Sequence, residues 1–195
     1  MQRESWFAAY ADIIAPEVID RVTLPDNGAR VRQSFRTRPR QRMLLAADTA
    51  ATGPDATRPA ATRPAATGPD AAGPDASEVV GYALYGPETD VLNAPWPHPL
   101  TADGAGGRVA ELYALYVRPA WWSTGTGRAL MERVLARTGA AGYQAITLWV
   151  LRDNERARRF YERAGFTPDG ATNVLAGLGD ILEVRYRRPL SWTYN

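Results

Sequence analysis

The chain has 195 residues, enough for one domain with a hydrophobic core, and its formal net charge is +2. It contains no cysteine and no lysine, and its single histidine is His98. These absences exclude disulfides, thiolate metal sites, cysteine nucleophiles and the lysine of a phosphate-binding loop, and no metal site is expected. The small net charge does not by itself indicate a nucleic-acid partner.

The first half of the chain predicts two helices and one unusual segment. Apolar residues recur at helical spacing from Trp6 to Ile14, and a second short helix is predicted from Asp26 to Phe35. Residues 46–77 consist almost wholly of Ala, Thr, Pro, Gly, Asp and Arg in near-repeats. Because such a segment has almost nothing to bury, we expect a disordered, low-complexity insertion in a turn of a single domain spanning 1–195.

An arginine run precedes this insertion. Between positions 30 and 42 there is no carboxylate, and the six arginines are Arg30, Arg32, Arg36, Arg38, Arg40 and Arg42. A solvated surface is the more common explanation of such a run, but it can also attract a phosphate or an RNA backbone.

The second half alternates strands and helices. Strands are predicted at 79–85, 111–117, 146–151 and 182–187, and helices at 127–137 and from Asn154 to Ala164, where Gly165-Phe166 forms a left-handed stop. This order predicts an α/β fold of the α+β type with a mixed central sheet. The longest apolar run, Ala145 to Leu151, is far shorter than the roughly 20 residues of a membrane span. With no signal peptide at the start, a cytoplasmic protein without a membrane partner is expected.

Two glycines stand where the strand 111–117 leads into the next helix. The segment reads Trp122-Ser123-Thr124-Gly125-Thr126-Gly127-Arg128. A helix start offers unpaired N–H groups and the positive end of the helix dipole, and glycines allow an anion to approach the backbone. A dinucleotide fold would need a third glycine where Leu130 stands, and a phosphate-loop NTPase would need a lysine. The segment therefore predicts a pyrophosphate site of another kind.

These residues resemble the GNAT (GCN5-related) N-acetyltransferases. Residues 111–170 are similar to the core of that family, and 79–188 follow its order of strands and helices. The family pattern Gln/Arg-x-x-Gly-x-Gly/Ala, which binds the pyrophosphate of acetyl-CoA, falls on 122–127, with Trp122 in place of the leading Gln or Arg. A second block, from Asn154 to Phe166, also resembles the family. The resemblance implies a mixed, mostly antiparallel sheet flanked by helices.

The resemblance implies acetyl-CoA as cosubstrate and a set of residues that bind it. The N–H of Val117 would meet the thioester oxygen, Leu115 and Tyr116 would flank the pantetheine arm where the strand leaves 146–151, and Asn154 would either bond that arm or cap its helix. The full implied set is Leu115, Tyr116, Val117, Ser123, Thr124, Gly125, Thr126, Gly127, Arg128 and Asn154.

Two catalytic residues are implied in the same way. Tyr161 occupies the position of the family's general acid, with packing beside Phe160 as the alternative. Glu111 lies at the spacing at which several family members carry a carboxylate that removes the amine's proton through water. Strand alternation would place Glu111 on the same face as Val117. The other family position for a base is Trp149, which cannot accept a proton.

The sequence favours an N-acetyltransferase that moves an acetyl group from acetyl-CoA to a primary amine by direct transfer in a ternary complex. The acceptor would be a small molecule or a peptide, and nucleic acid is not the expected partner. The alternatives are a CoA-binding regulatory module without turnover and, from the arginine run, an enzyme that acetylates charged tRNA. Aromatic residues that could line an acceptor pocket, or equally belong to core and surface, are Trp6, Tyr10, Trp96, His98 and Trp192.

The start of the sequence differs from the family. Residues 5–10 correspond to the middle of the family's first helix, so we expect its first strand to be missing. Either the native start lies upstream, or residues 40–46 form an uncovered edge of the sheet, which invites association into a homodimer.

Overall fold

A computed structural model describes residues 2–23, 40–48, 78–88, 108–176 and 179–190. They form one six-stranded sheet, with strand order β1-β2-β3-β4-β6-β5. The strands are β1 (Arg42–Asp48), β2 (Glu78–Pro87), β3 (Val109–Val117), β4 (Ala145–Leu151), β5 (Thr167–Leu175) and β6 (Ile181–Pro189). The helices are α1 (Gln2–Tyr10), α2 (Pro16–Val22), α3 (Thr126–Ala140) and α4 (Glu155–Arg163). Only β3 and β4 pair in parallel, so the predicted mixed, mostly antiparallel sheet is confirmed.

Apolar side chains cover both faces of the sheet. On one face α3 and α4 enclose the larger core, which includes Leu112, Val134, Ile146 and Tyr186. On the other face a smaller cluster joins α1 and α2 to the sheet through Ile14, Ile19 and Leu151. The sheet is therefore the middle of three layers, and β3 and β4 lie at its centre.

The N-terminal helices differ from the prediction in their bounds. The helix expected from Trp6 to Ile14 is α1, which ends at Tyr10, and a second helix starts at Pro16, whose ring suits a first turn. No strand lies within residues 2–23, as expected. The helix predicted from Asp26 to Phe35 lies outside the described residues. The strand β5 was not predicted because its residues, Thr167–Leu175, are mostly polar and largely exposed.

The strands β1 and β2 flank the low-complexity segment. They pair antiparallel from Arg42 opposite Tyr85 to Asp48 opposite Glu78, so residues 49–77 connect the two arms of a hairpin. The predicted start of the insertion at 46 is wrong, because residues 46–48 pair with β2 and belong to β1. Residues 49–77 lie outside the described residues. As expected, β1 stands at an edge of the described sheet, where the side chain of Leu45 is 60% exposed.

A bulge changes which residues of β3 share a face. Opposite β2, the register steps from Tyr85–Leu112 to Leu84–Ala114, which leaves Tyr113 as an extra residue. Leu112 before the bulge and Val117 after it both pack in the α3 core. Glu111, next to Leu112, therefore faces the α1 side and not the face of Val117. The expectation that Glu111 and Val117 share a face is wrong, since simple alternation ignores the bulge.

No helix among the described residues is both long and apolar enough to cross a membrane.

Candidate active site

A cleft opens where the two central strands separate. The parallel pairing of β3 with β4 runs from Val109–Ala145 to Leu112–Leu148 and goes no further. Beyond that point a cleft of about 590 Å³ is lined by α1, the end of β3, the glycine loop, α3 and α4. The predicted residues Leu115, Tyr116 and Val117 line it, at the place where the strands diverge.

The backbone of Val117 faces this gap. The N–H of the next residue, Arg118, donates to the carbonyl of Val80 at 2.9 Å. In an antiparallel pair, hydrogen-bonded and non-hydrogen-bonded positions alternate, so Val117 directs its N–H and C=O away from β2. Its carbonyl accepts hydrogen bonds from Ser5 Oγ at 3.1 Å and Trp122 Nε1 at 2.8 Å. These contacts join α1 and the glycine loop to the end of β3.

The N-terminus of α3 opens onto the same cleft. Gly125 is its N-cap at φ 93°, a conformation that favours glycine, and no side chain of the described residues caps the helix. Ser123 also has a positive φ of 62°, and Thr124 Oγ1 donates to the carbonyl of Trp121 at 2.8 Å. The first-turn N–H groups of Thr126, Gly127 and Arg128 therefore remain available to an anion.

Gly127 leaves space beside the uncapped N–H groups at the start of α3, a site that we call the cradle. A Cβ built on this residue would lie 3.5 Å from Phe160 and 3.7 Å from Val117, which is ordinary van der Waals contact. The fold itself would thus accept a side chain here. Since Gly127 lines the cleft, a side chain larger than that of alanine would occupy space that a ligand can use. This arrangement fits a pyrophosphate group held by backbone N–H groups.

Arginines of α4 line the cleft, and the sequence analysis missed them. They are Arg156, Arg159 and Arg163, spaced three and four apart, which places them on one side of the helix. The guanidinium of Arg156 lies 3.6 Å from the ring centre of Trp122. Arg159 also pairs with Glu155 at 2.8 Å. The helical spacing of these arginines was the available signal, but nothing in the sequence shows which side of α4 meets the cleft.

Tyr161 lies on the wall of the cleft in an apolar setting. Its ring packs edge-on against Phe160, with centroids 5.3 Å apart, and against Phe166 at 6.1 Å. Burial, and after it the proximity of Tyr116, raise the pKa of Tyr161 well above the usual value of 10.0. The phenol therefore keeps its proton at neutral pH and is a donor.

Two further tyrosines, Tyr116 and Tyr10, lie near Tyr161 on the side of α1. Trp6 Nε1 donates to the hydroxyl of Tyr116 at 2.9 Å, and Tyr10 lines the cleft. Burial raises the pKa of Tyr10, and Tyr116 and Tyr161 add to this shift. Of the aromatic residues predicted for an acceptor pocket, Trp6 and Tyr10 thus lie at this end. Trp96, His98 and Trp192 lie outside the described residues.

Asn154 lines the cleft and caps α4. Its Oδ1 accepts a hydrogen bond from the N–H of Ala157 at 3.0 Å, and the residue is 7% exposed. The capping interpretation is therefore confirmed. Contact with a pantetheine arm stays a prediction.

Glu111 is not among the described residues that line the cleft. It is 7% exposed and stands opposite Thr147. Thr147 belongs to a cluster of polar side chains between the strands. Thr147 Oγ1 donates to Glu88 at 3.1 Å, and Arg185 contacts Asp169 at 2.8 Å and Glu88 at 3.6 Å. At about 3.3 Å per residue, Glu111 is roughly 15–20 Å along the strand from Val117. Direct proton transfer between Glu111 and a group at Val117 is therefore excluded by distance.

Comparison with known proteins identifies the family. Residues 43–166 match the profile of the Acetyltransferase (GNAT) family. This chain belongs to that family. The match spans both the glycine loop and α4, so the resemblance inferred from the sequence is confirmed. No group of three or more acidic or histidine side chains suited to a metal ion occurs among the described residues of this GNAT chain.

Curated relatives match only part of their own length. An uncharacterised N-acetyltransferase of Mycobacterium tuberculosis is 39% identical over 70 residues, which are 36% of this chain and 45% of the relative. A mycothiol acetyltransferase of Beutenbergia cavernae is 45% identical over 58 residues, 30% of this chain and 20% of the relative. The GNAT chain thus spans less than half the length of these relatives.

Solved structures support the same fold. The PaiA N-acetyltransferase of Thermoplasma acidophilum, in complex with coenzyme A, aligns with a TM-score of 0.58 at 16% identity, over 94% of this chain and 86% of that one. NAA60 of Arabidopsis thaliana, in complex with acetyl-CoA, gives a TM-score of 0.56 at 13% identity, over 91% and 96%. At these identities the likeness establishes the GNAT fold.

Proposed function

We propose that this chain transfers an acetyl group from acetyl-CoA to a primary amine, by direct transfer in a ternary complex. The observation that carries the proposal is the gap between β3 and β4, which opens in front of the uncapped N-terminus of α3. Backbone donors on the strand edge and at the helix start then face one cleft. An extended thioester with a diphosphate at its far end matches both groups of donors.

The glycine loop and α4 would hold the diphosphate together. The N–H groups of Gly127 and Arg128 supply neutral donors. Trp122 carries no charge where the family pattern has Gln or Arg, but the guanidinium of Arg156 stacks on its ring. Arg156 thus supplies from α4 the cation that position 122 lacks. Leu115 and Tyr116 flank the route from this end to Val117.

Residues at the strand end would perform the chemistry. Acetyl-CoA, when bound, supplies an activated acetyl group as a thioester. The N–H of Val117 would donate to its carbonyl oxygen as negative charge develops, a role worth about 3–4 kcal/mol in analogous sites. Tyr161 would donate its phenolic proton to the departing sulfur, since the phenol is protonated at neutral pH and lies on the wall of the cleft.

The acceptor amine must lose a proton, and the proposed base is Glu111 acting through water. Glu111 faces the α1 side, as does Tyr116, but its distance from Val117 requires a chain of water molecules. This separation is also the observation that favours the alternative function, a CoA-binding module without turnover. The acceptor, a small molecule or peptide amine, would enter from the side of Tyr10.

The test is a thermal melt of the full chain with and without excess acetyl-CoA, followed by initial-rate measurements. At a hundred times its dissociation constant, a ligand adds about 2.7 kcal/mol to the free energy of unfolding. A raised melting temperature would support binding of acetyl-CoA at the cradle. A cooperative melt without any shift would contradict the proposal.

Initial rates separate the remaining possibilities. Direct transfer requires both substrates on the protein at once, so double-reciprocal plots for acetyl-CoA and an amine acceptor should intersect. Parallel lines would indicate an acetylated protein and overturn direct transfer. Binding of acetyl-CoA without acetylation of any amine in a broad acceptor panel would favour the module without turnover.

A further inference from the structure

A second cleft lies at the opposite end of α3. It has a volume of about 430 Å³ and lies between the β1–β2 hairpin and the C-terminal end of the helix. Its floor contains Tyr85 and Tyr143, which are 5% and 8% exposed. Four exposed arginines line its sides, and none of the described lining residues is acidic. The arginines are Arg40, Arg42, Arg108 and Arg137. We call this site the arginine pocket.

Capping of the helix explains only one of these arginines. The carbonyls of Arg137, Thr138 and Gly139 accept hydrogen bonds from backbone N–H groups of residues 141–143, at 2.9–3.1 Å. Arg108 Nη1 donates to the carbonyl of Ala141 at 3.0 Å. The helix C-terminus carries about half a negative charge, which one guanidinium offsets. The other three guanidinium groups therefore exceed what the helix end needs.

The arginines are brought together by the fold. They come from three stretches of the chain: the start of β1, the start of β3 and the last turn of α3. Arg108 is held in place, because its guanidinium stacks 4.6 Å from the ring centre of Tyr143. Arg42 Nη1 donates to the carbonyl of Gln41 at 2.9 Å. A guanidinium has five N–H donors, so each of these groups can also bind an anion.

We propose that the arginine pocket binds a small organic polyphosphate, such as a nucleoside diphosphate or triphosphate. Arginine matches phosphate oxygens in pairs, and several arginines around one cavity suit a ligand with several negative charges. The volume lies within the range of small-molecule sites, about 300–1,000 Å³, and the tyrosines offer an aromatic floor. A concave cavity favours a small ligand over an RNA backbone. The pocket also accounts for Arg40 and Arg42 of the arginine run.

The site is separate from the acetyl-CoA cleft. The two clefts lie at opposite ends of α3, which has 15 residues. At 1.5 Å per residue, the helix separates them by about 22 Å. A ligand of the arginine pocket would therefore bind together with CoA and would not compete with it.

The experiment is calorimetric titration of the full chain with inorganic pyrophosphate, in the presence of saturating CoA. Arg42→Gln and Arg137→Gln remove one charge each from the pocket. Arg133→Gln is the matched control, because Arg133 is exposed on α3 and is not a lining residue. We expect each pocket variant to weaken pyrophosphate binding about tenfold or more, and the control to leave it unchanged. Thermal melts establish that all three variants are folded.

Three results would overturn the proposal. Absence of pyrophosphate binding to the wild-type chain would show that the pocket is not a phosphate site. Equal weakening by Arg133→Gln would show a diffuse charge effect. If a single-stranded RNA of about 10 nucleotides binds through Arg42 and Arg137 while pyrophosphate does not, the ligand is a nucleic-acid backbone. In a repeat without CoA, pyrophosphate can also bind the glycine loop, so the readout there is the difference between the wild-type chain and the variants Arg42→Gln and Arg137→Gln, which does not depend on the proposed acetyltransferase activity.

Discussion

The two anion sites that we propose, one at each end of α3, are of opposite kinds. At its N-terminus the donors are backbone N–H groups, and the local residues are Gly125 and Gly127, which have no side chain to obstruct them. At its C-terminus the donors are arginine side chains from three stretches of the chain. The first site should fail when atoms are added, and the second when charge is removed. This difference determines which substitutions are informative.

The largest effect is expected from Tyr161→Phe. This variant tests whether the cleft at the N-terminus of α3 performs chemistry as well as binding. The variant keeps the ring contacts with Phe160 and Phe166 and loses only the proton donor. We expect the acetylation rate to fall about 10²- to 10⁴-fold with an unchanged dissociation constant for CoA. Steady-state rates and calorimetry measure the two quantities. An unchanged rate would remove Tyr161 from the mechanism.

The next effect is expected from Gly127→Leu, because the family pattern has Gly or Ala at this position and no larger residue. The Cβ meets Phe160 and Val117 at ordinary distances, so the start of the helix itself accepts a side chain. CoA affinity should nevertheless fall at least tenfold, because the rest of the leucine side chain extends into the cradle. Gly139→Leu is the control on the same helix, since a Cβ there meets no described atom within 4 Å. Equal CoA affinity in both variants, with thermal melts that show both folded, would refute the backbone cradle.

A smaller effect is expected from Arg156, whose side chain would assist the backbone N–H groups in binding the diphosphate. Arg156→Gln should weaken CoA binding several-fold, in line with a cation–π-held charge worth about 1 kcal/mol. The double variant Trp122→Arg with Arg156→Gln restores a cation at position 122 and should recover most of that loss. Pantetheine, which has no diphosphate, should bind all three proteins equally. Failure of the rescue, with pantetheine still bound equally by all three proteins, would assign Arg156 a structural role only.

The smallest effect concerns pH. Burial raises the pKa of Tyr10, Tyr82 and Tyr161 above 10.0, so the folded chain holds these protons more tightly than the unfolded chain does. Their contribution to stability is complete below about pH 10 and declines as the pH rises above it. Tyr82→Phe should make that decline shallower, by up to about 1.4 kcal/mol per pH unit. Unfolding in urea at pH 9 and above measures this slope, and an unchanged slope would argue against burial as its cause.

The sequence predicted one end of α3 much better than the other. The glycine loop and the helix after it are contiguous, so local conformational preference indicates both the turn and the open N–H groups. The arginine run is visible in the sequence, but the other arginines of the pocket are not near it. Arg108 and Arg137 are 66 and 95 positions away from Arg42. No local pattern connects them. The same holds for Arg156 and Trp122, which meet only because α4 packs beside the glycine loop.

The faces of β3 show a second limit of prediction from the sequence. The segment 111–117 was correctly predicted to be a strand, and it belongs to β3. The extra residue at Tyr113 reversed the phase, and Glu111 came to lie opposite Thr147 on the α1 side. A bulge depends on how two strands pair, so one strand's sequence does not show it. The polar strand β5 was missed for a related reason, since pairing with β6 and not its own composition makes it a strand.

The sequence by itself determined the family, the order of the later elements, the glycine-rich start of α3 and the candidate acid Tyr161. The family and the candidate acid follow from the resemblance of two contiguous motifs, and the other two features follow from short-range preferences: glycine at positive φ, capping at Asn154 and apolar periodicity. Only the tertiary structure decided the gap between β3 and β4, the face of Glu111, the position of the α4 arginines beside the cleft and the arginine pocket. Each of these depends on contacts between segments far apart in the chain, which local preferences do not encode.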